Sequence, residues 1–317
     1  MSKVSISRRL QVITAAGFVM FGMAACGGDA ESESASDDPI RIGSSLPLTG
    51  EFSQPGTAAQ EGYQVWQEMV NEAGGLLGRD VEFVIKDDAS NQNTIVADYN
   101  ALISQDKVDL LLGTFSSLLN LPASAVAERN QMLYIEPAGG SPEMFSRGFE
   151  YLFFSQQGPS AEQGKVFAEW IASLPEAERP KTAAYPTLDD PFAQPNIDHM
   201  RELLEAAGVE TVYQETYAID TKNFDTIVNG MKAAAPELVA HGALFEDGVG
   251  LVNAMLKADF TPKWLYQTSA PSLGDQYAEA IGVENTEGIL FAISHAPEAT
   301  TPGNEEFVAK YDEMFGG

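Results

Sequence analysis

From Ile40 to Ile293 the chain carries ten short runs rich in β-branched and apolar residues, and nearly every one is followed by a turn and a stretch with apolar residues at helical spacing. A strand that is followed by a helix cannot pair in a tight hairpin, so it must pair in parallel, and parallel sheets need helices on both faces. The segments Ile40–Leu46, Val81–Ile85, Val108–Leu112, Met132–Glu136 and Tyr151–Phe154 read as strands, as do Thr182–Tyr185, Thr211–Tyr217, Leu238–Ala243, Trp264–Gln267 and Gly288–Ile293. The pattern from Thr57 to Ala73, with Gly62, Trp66 and Met69 on one face and Gly74-Gly75 as its stop, is representative of the helices. Ten strands exceed one compact sheet, which predicts an α/β protein of two doubly wound parallel-sheet lobes. The Gly-, Pro- and Ser-rich stretches Ser155–Pro159 and Thr268–Ser272 are the expected crossings. They place residues 40–155 with 272–317 in lobe I and residues 156–271 in lobe II.

Ahead of this pattern lies a different kind of sequence. Lys3, Arg8 and Arg9, the apolar stretch from Val12 to Ala25 and the small residues before Cys26 form an export signal, so residues 1–25 are set aside as a signal peptide. The apolar stretch falls short of the roughly 20 residues a membrane span requires. Cys26 is the only cysteine, which excludes an internal disulfide, and at the end of Met23-Ala24-Ala25 it is the expected lipidation site. Residues 26–39, with their run of acids, serines and glycines, then read as a flexible acidic tether. The expected location is outside the cytoplasm, anchored by lipid to a bacterial membrane. The net charge of −28 disfavours nucleic acid and anionic head groups as partners.

Ligands of open α/β sheets sit beyond the carboxyl ends of the strands, where loops lead into helices. Three such loops carry chemistry. Phe115-Ser116-Ser117 offers hydroxyls and free N–H groups at a helix start, suited to an anion. Ala138-Gly139-Gly140 lets a ligand approach bare backbone. Glu246, ahead of Asp247-Gly248 and after a strand of the other lobe, could meet an ammonium group. The serines could equally be N-caps, and Glu246 a first-turn acid that complements the helix dipole.

The order of these elements, with Leu48-Thr49-Gly50, Ala73-Gly74-Gly75-Leu76-Leu77-Gly78-Arg79, Leu112-Gly113, Ser116-Ser117 and Pro122-Ala123, resembles the branched-chain amino-acid-binding family of ABC importer receptors. Ser141-Pro142-Glu143-Met144-Phe145, Arg147-Gly148-Phe149-Glu150-Tyr151 and Asp189-Asp190-Pro191-Phe192 continue it. The resemblance implies the type I periplasmic-binding-protein fold, an amino-acid-like ligand, an ABC permease as partner, a monomer, and no cofactor. It also implies ligand contacts by Phe115, Ser116, Ser117, Ala138, Gly139, Gly140, Phe192 and Glu246, with Ser117 the closer match of the two serines. Gly140 and Pro55 stand where the amino-acid receptors have a Thr and an aromatic, and Ser90 and Ser116 where some have a disulfide. The family pattern continues past Gly317, so the C-terminus is expected to be incomplete.

Catalytic signatures are weak. Gly158 to Lys165 has one residue too many for a phosphate loop and Val166 where Ser or Thr should hold magnesium. His199, His241 and His295 lack metal-ligand spacing, and no serine sits in a nucleophile elbow. The chain is therefore expected to be a binding protein and not an enzyme. A sensor coupled to a signalling partner, or a hydrolase on a similar scaffold, are the alternatives.

Overall fold

The computed structural model describes residues 38–156 and 158–316; the signal peptide, Cys26 and most of the acidic tether lie outside them. The first part of the chain runs β1 (Ile40–Leu46), α1 (Ser53–Glu72), β2 (Val81–Asp87), α2 (Gln92–Ser104), β3 (Leu110–Leu112), α3 (Ser117–Arg129), β4 (Tyr134–Glu136), α4 (Pro142–Ser146) and β5 (Leu152–Phe154). It continues through α5 (Ser160–Gln163), α6 (Lys165–Ser173), β6 (Thr182–Leu188), α7 (Ala193–Ala206), β7 (Glu210–Tyr217), α8 (Asp225–Ala234), β8 (Leu238–His241) and α9 (Phe245–Lys257). Last come β9 (Trp264–Gln267), α10 (Asp275–Ile281), β10 (Ile289–Leu290) and α11 (Asn304–Phe315).

The strands form two five-stranded sheets, β2-β1-β3-β4-β5 and β10-β9-β8-β6-β7. Every pairing is parallel; β1 aligns with β2 from Ile40 against Val81 to Leu46 against Asp87. β1 and β8 are buried along nearly their whole length, which explains why they are apolar runs instead of two-faced alternations.

Local chemistry sets the helix starts. Asn91 caps α2, its Oδ1 accepting from the N–H groups of Asn93 and Thr94 at 2.9 and 3.1 Å. Helix α3 tolerates Pro122 because the carbonyl that the missing N–H would have bonded, that of Leu118, accepts from Gln92 Nε2 at 3.0 Å.

The chain leaves the first sheet after Phe154, and Gln156 Nε2 donates to the Pro137 carbonyl at 2.6 Å at the start of the crossing. The second crossing differs from expectation. Residues 268–272 do not lead back to lobe I: a 3₁₀ turn at Ala270–Leu273 and α10 pack on α9, and β10 extends the second sheet beside β9. The return comes after Leu290, and α11 then packs against α1, with Tyr311 Oη donating to Glu61 at 2.5 Å and Lys310 paired with Glu72 at 2.7 Å. Lobe II thus extends to Leu290. The apolar packing of Phe245, Val252, Tyr277 and Ile281 explains the correction: a Pro/Ser-rich stretch also makes a tight turn onto its own sheet.

One cluster of buried apolar residues includes side chains of both lobes, from Tyr99, Leu111 and Tyr134 to Leu188, Phe192 and Leu244. Phe52 and Phe115, edge to face at 5.7 Å, stand at the lobe I side of the contact. Lys222 of lobe II pairs with Glu51 of lobe I at 2.5 Å across the cleft mouth. The lobes are closed on one another.

Candidate functional site

The carboxyl ends of β3 and β4 deliver two loops to the cleft, and one side chain ties them together. Asn120, wholly buried in α3, accepts from the Thr114 N–H at 3.0 Å and from Tyr134 Oη at 2.6 Å through Oδ1. Those two bonds fix the amide so that Nδ2 faces the carbonyls of Thr114 (2.6 Å), Ser116 (3.0 Å) and Ala138 (2.7 Å).

Ser116 occupies the N-cap position of α3, yet its hydroxyl makes no bond to the first turn. It is 1% exposed and its Oγ has no partner among the described residues. A buried hydroxyl left unpaired costs about 1–3 kcal/mol, so a ligand atom at this point would recover that cost. The capping role open from sequence is therefore not the one it fills. Ser117 is different: its Oγ accepts from the Ser141 N–H at 3.1 Å, joining the two loops from behind. Gly139 takes φ +130°, and a Cβ there would stand 2.9 Å from the Ser117 nitrogen and 3.0 Å from Glu136 Oε1. Only glycine fits that position.

Lobe II closes the site. Phe192, 8% exposed, starts α7, and its N–H is held by Asp190 Oδ1 at 2.8 Å. Between the lobes lies a cavity of about 300 Å³ lined by Pro55, Phe115, Ser116, Ala138, Gly139 and, from beyond, Gln156, Gln163, Phe192, Leu244, Thr268, Ser269 and His295. Among its described lining residues there is no Asp, Glu, Lys or Arg. Five of the eight residues expected at the site meet here: Phe115, Ser116, Ala138, Gly139 and Phe192. Ser117 lies behind the loop, and Gly140, whose carbonyl accepts from the Ser160 N–H at 2.7 Å, faces the first crossing.

Glu246 is placed elsewhere. It lines a neighbouring cavity of about 250 Å³ together with Glu51, Lys222 and Asp247, so it does not face Ser116 across a shared space. Glu246 is the second residue of α9, and the first turn after β8 carries it towards Lys222. The residues that line the interlobe cavity just after β9 are Thr268 and Ser269, which sequence reasoning took for a crossing. Gln156, Gln163 and His295 were also missed; Gln156 and His295 sit in segments between the lobes and Gln163 ends α5, and no ligand-binding motif marks them.

Beneath α9 a chain of hydrogen bonds sets the lobe II wall. Tyr277 Oη donates to Gln267 Oε1 at 2.5 Å, Gln267 Nε2 donates to His241 Nδ1 at 3.0 Å, and His241 Nε2 meets Tyr217 Oη at 2.6 Å. Tyr217 Oη donates to Asp247 Oδ2 at 2.5 Å, whose other oxygen accepts the Leu244 N–H at 3.0 Å. Every link is satisfied when His241 is neutral with its hydrogen on Nε2. Burial pushes the imidazole down to about 3 and the Asp247 carboxyl up to about 7.

These features define a two-lobed solute-binding protein with a closed interlobe site. The sequence matches the periplasmic binding protein family over residues 39–317. A leucine-, isoleucine-, valine-, threonine- and alanine-binding protein of Pseudomonas aeruginosa is 27% identical over 293 residues, 92% of this chain and 73% of that protein. The fold is similar to that of a branched-chain amino acid transporter substrate binding protein from Streptococcus pneumoniae, solved with isoleucine (TM-score 0.80, 21% identity, 88% of this chain and 78% of that one). It is also similar to a solute binding protein of an ABC transporter from Rhodopseudomonas palustris, solved with 3,4-dihydroxybenzoic acid (TM-score 0.76, 19% identity, 88% and 75%). The chain belongs to the periplasmic binding protein family.

His241 should stay neutral in the folded protein far below its ordinary value of 6.5. Because the folded value is depressed, its contribution to stability is complete above about pH 6.5 and is lost as pH falls towards 3. Nitrogen-15 spectra of the imidazoles should show a neutral Nε2–H ring for His241 at pH 5. A doubly protonated ring at that pH would contradict the hydrogen-bond chain.

Proposed function

We propose that the protein is the extracytoplasmic receptor of an ABC importer, that it binds a small carboxylate between its lobes, and that it hands this ligand to a membrane permease. The observation that carries the reading is the Ser116 hydroxyl, buried, unpartnered and at the start of the 13-residue helix α3. A ligand carboxylate there would accept from Ser116 Oγ and from the free N–H groups of the first turn, where the helix dipole favours negative charge. Phe115 and Phe192 would cover its apolar body from the two lobes. The binding-protein names of the relatives support a receptor over an enzyme.

The relatives' names point to two ligand classes, amino acids and aromatic acids. The cavity offers side-chain donors and acceptors to the end of the ligand away from Ser116, namely those of Gln156, Gln163, Ser269 and His295. An aromatic or aliphatic carboxylate suits that lining without further adjustment. An amino acid would need its ammonium held by side-chain carbonyls and hydroxyls, or by Glu246 after a change in the α9 turn. Micromolar affinity requires about 8 kcal/mol, which a charge-assisted pair of hydrogen bonds at about 1.5–3 kcal/mol each and the burial of one ring or branched chain supply.

Calorimetry of the mature protein against leucine, isoleucine, valine, benzoate and 3,4-dihydroxybenzoate separates these classes. Ser116→Ala should weaken every ligand that binds by about 10- to 100-fold, the equivalent of one charge-assisted hydrogen bond. If only the amino acids bind and Glu246→Gln removes that binding, the ammonium role of Glu246 holds. If Ser116→Ala leaves affinity unchanged, the carboxylate site is misplaced.

We further propose that Cys26 carries a lipid anchor that keeps the receptor at the membrane, with the acidic segment behind it as tether. Cells fed a clickable fatty acid should label the wild-type protein and not Cys26→Ser, which should appear in the soluble fraction. Equal labelling of both would sink the assignment.

A further inference from the structure

Under the loop that receives the ligand lies a carboxyl group that the proposed binding chemistry does not use. Glu136, the last residue of β4, is wholly buried. Its Oε1 lies 3.2 Å from Asn120 Nδ2, and its Oε2 has no partner among the described residues. Gly139 lines the cavity, and a Cβ on it would stand 3.0 Å from Glu136 Oε1, so the carboxyl lies directly against that glycine. The Asn120 amide has two hydrogens and four acceptors around it: three carbonyls and Glu136. An ionised Glu136 would put an unpaired negative charge among acceptors that already outnumber the two Asn120 hydrogens, whereas the neutral acid adds no charge.

The groups around it offer no counter-charge. Tyr63 of α1 and Tyr134 of β4 are the ionisable groups that interact with Glu136, and both are phenols held neutral by burial. Tyr99 of α2 and Arg147 after α4 interact with Tyr134 and do not reach the carboxyl. From β5, Ser155 contacts only the Glu136 carbonyl. Burial pushes the Glu136 carboxyl up to about 8, against a lowering by the Ala138 N–H.

We infer that Glu136 is a positioning residue that works as the neutral acid: with Asn120 it holds the Ser116 and Gly139 loops in the shape that accepts an anion, and loss of its proton expels that anion. The inference rests on the carboxylate reading of the site and adds that ligand release is coupled to a proton. An anion on Ser116 and an ionised Glu136, each beside a residue that binds Asn120, would sit in the same buried, low-dielectric surroundings, where like charges repel.

Benzoate is the probe, since it has no group of its own that titrates between pH 6.5 and 9.5; leucine serves as the second. Affinity of the mature wild-type protein should be level up to about pH 8 and then fall by about tenfold per pH unit. Glu136→Gln lacks the titrating proton, so whatever its affinity at pH 7, that affinity should show no alkaline fall. A merely structural role for Glu136 would leave the two pH profiles parallel, which overturns the inference. A ligand-free measurement runs beside it. In wild-type protein labelled with carbon-13 at glutamate, the carboxyl signal absent from Glu136→Gln should titrate near pH 8, and the Ser117 and Gly139 amide signals should move with the same midpoint. An ionised Glu136 at pH 6, or amides that ignore its titration, also overturns it. If neither probe binds at any pH while carboxyl and amides titrate together, the carboxylate reading fails and the proton-dependent loop tie stands.

Discussion

The binding surface of lobe I depends on the Asn120 side chain. Two bonds to Oδ1 orient the amide, and the opposite end gathers carbonyls from the β3–α3 and β4–α4 loops into one focus. Neither loop has regular structure of its own, and each contributes backbone that would otherwise be buried without a partner. With the carbonyls turned inward to Asn120, Ser116 is left lining the cavity with its hydroxyl unpartnered among the described residues. On the proposed reading, a hydroxyl at a helix start would let a cavity wall without lysine or arginine accept an anion.

The second lobe supplies walls in place of charge. Phe192 and Leu244 close over the cavity, and the buried run from Tyr277 to Asp247 fixes the β8–α9 junction from which Leu244 projects. The charged residues of the cleft, Glu51, Lys222 and Glu246, gather in the adjoining cavity, where Lys222 and Glu51 join the lobes. An exposed pair of this kind contributes little to stability. It is one of the contacts that join the two lobes in this structure.

Much of this was legible in the residues. All ten strands appear where apolar runs alternate with helical spacing, because a parallel strand buried on both faces must be apolar throughout. Ser116 and Gly139 were legible because they combine a helix start with a special backbone. The second crossing was not, since Pro271 and Ser272 signal a turn without saying onto which sheet the chain turns. Nor was the separation of Glu246 from Ser116: strand-end position specifies the cleft side of a sheet, while the rotation of the first turn of α9 decides which cavity a side chain enters. Glu136 and Asn120 carry no motif. A buried acid at a strand end and an asparagine within a helix acquire meaning only when α3 is folded over β4.

The most direct test of the central claim is a crystal structure of the mature protein with whichever carboxylate calorimetry shows to bind. One carboxylate oxygen should lie within about 2.5–3.0 Å of Ser116 Oγ, with the second at the N–H groups that open α3 and Asn120 still bonded to both loops. A ligand seated instead against Lys222 and Glu246, with Ser116 Oγ still unpartnered, would contradict the account.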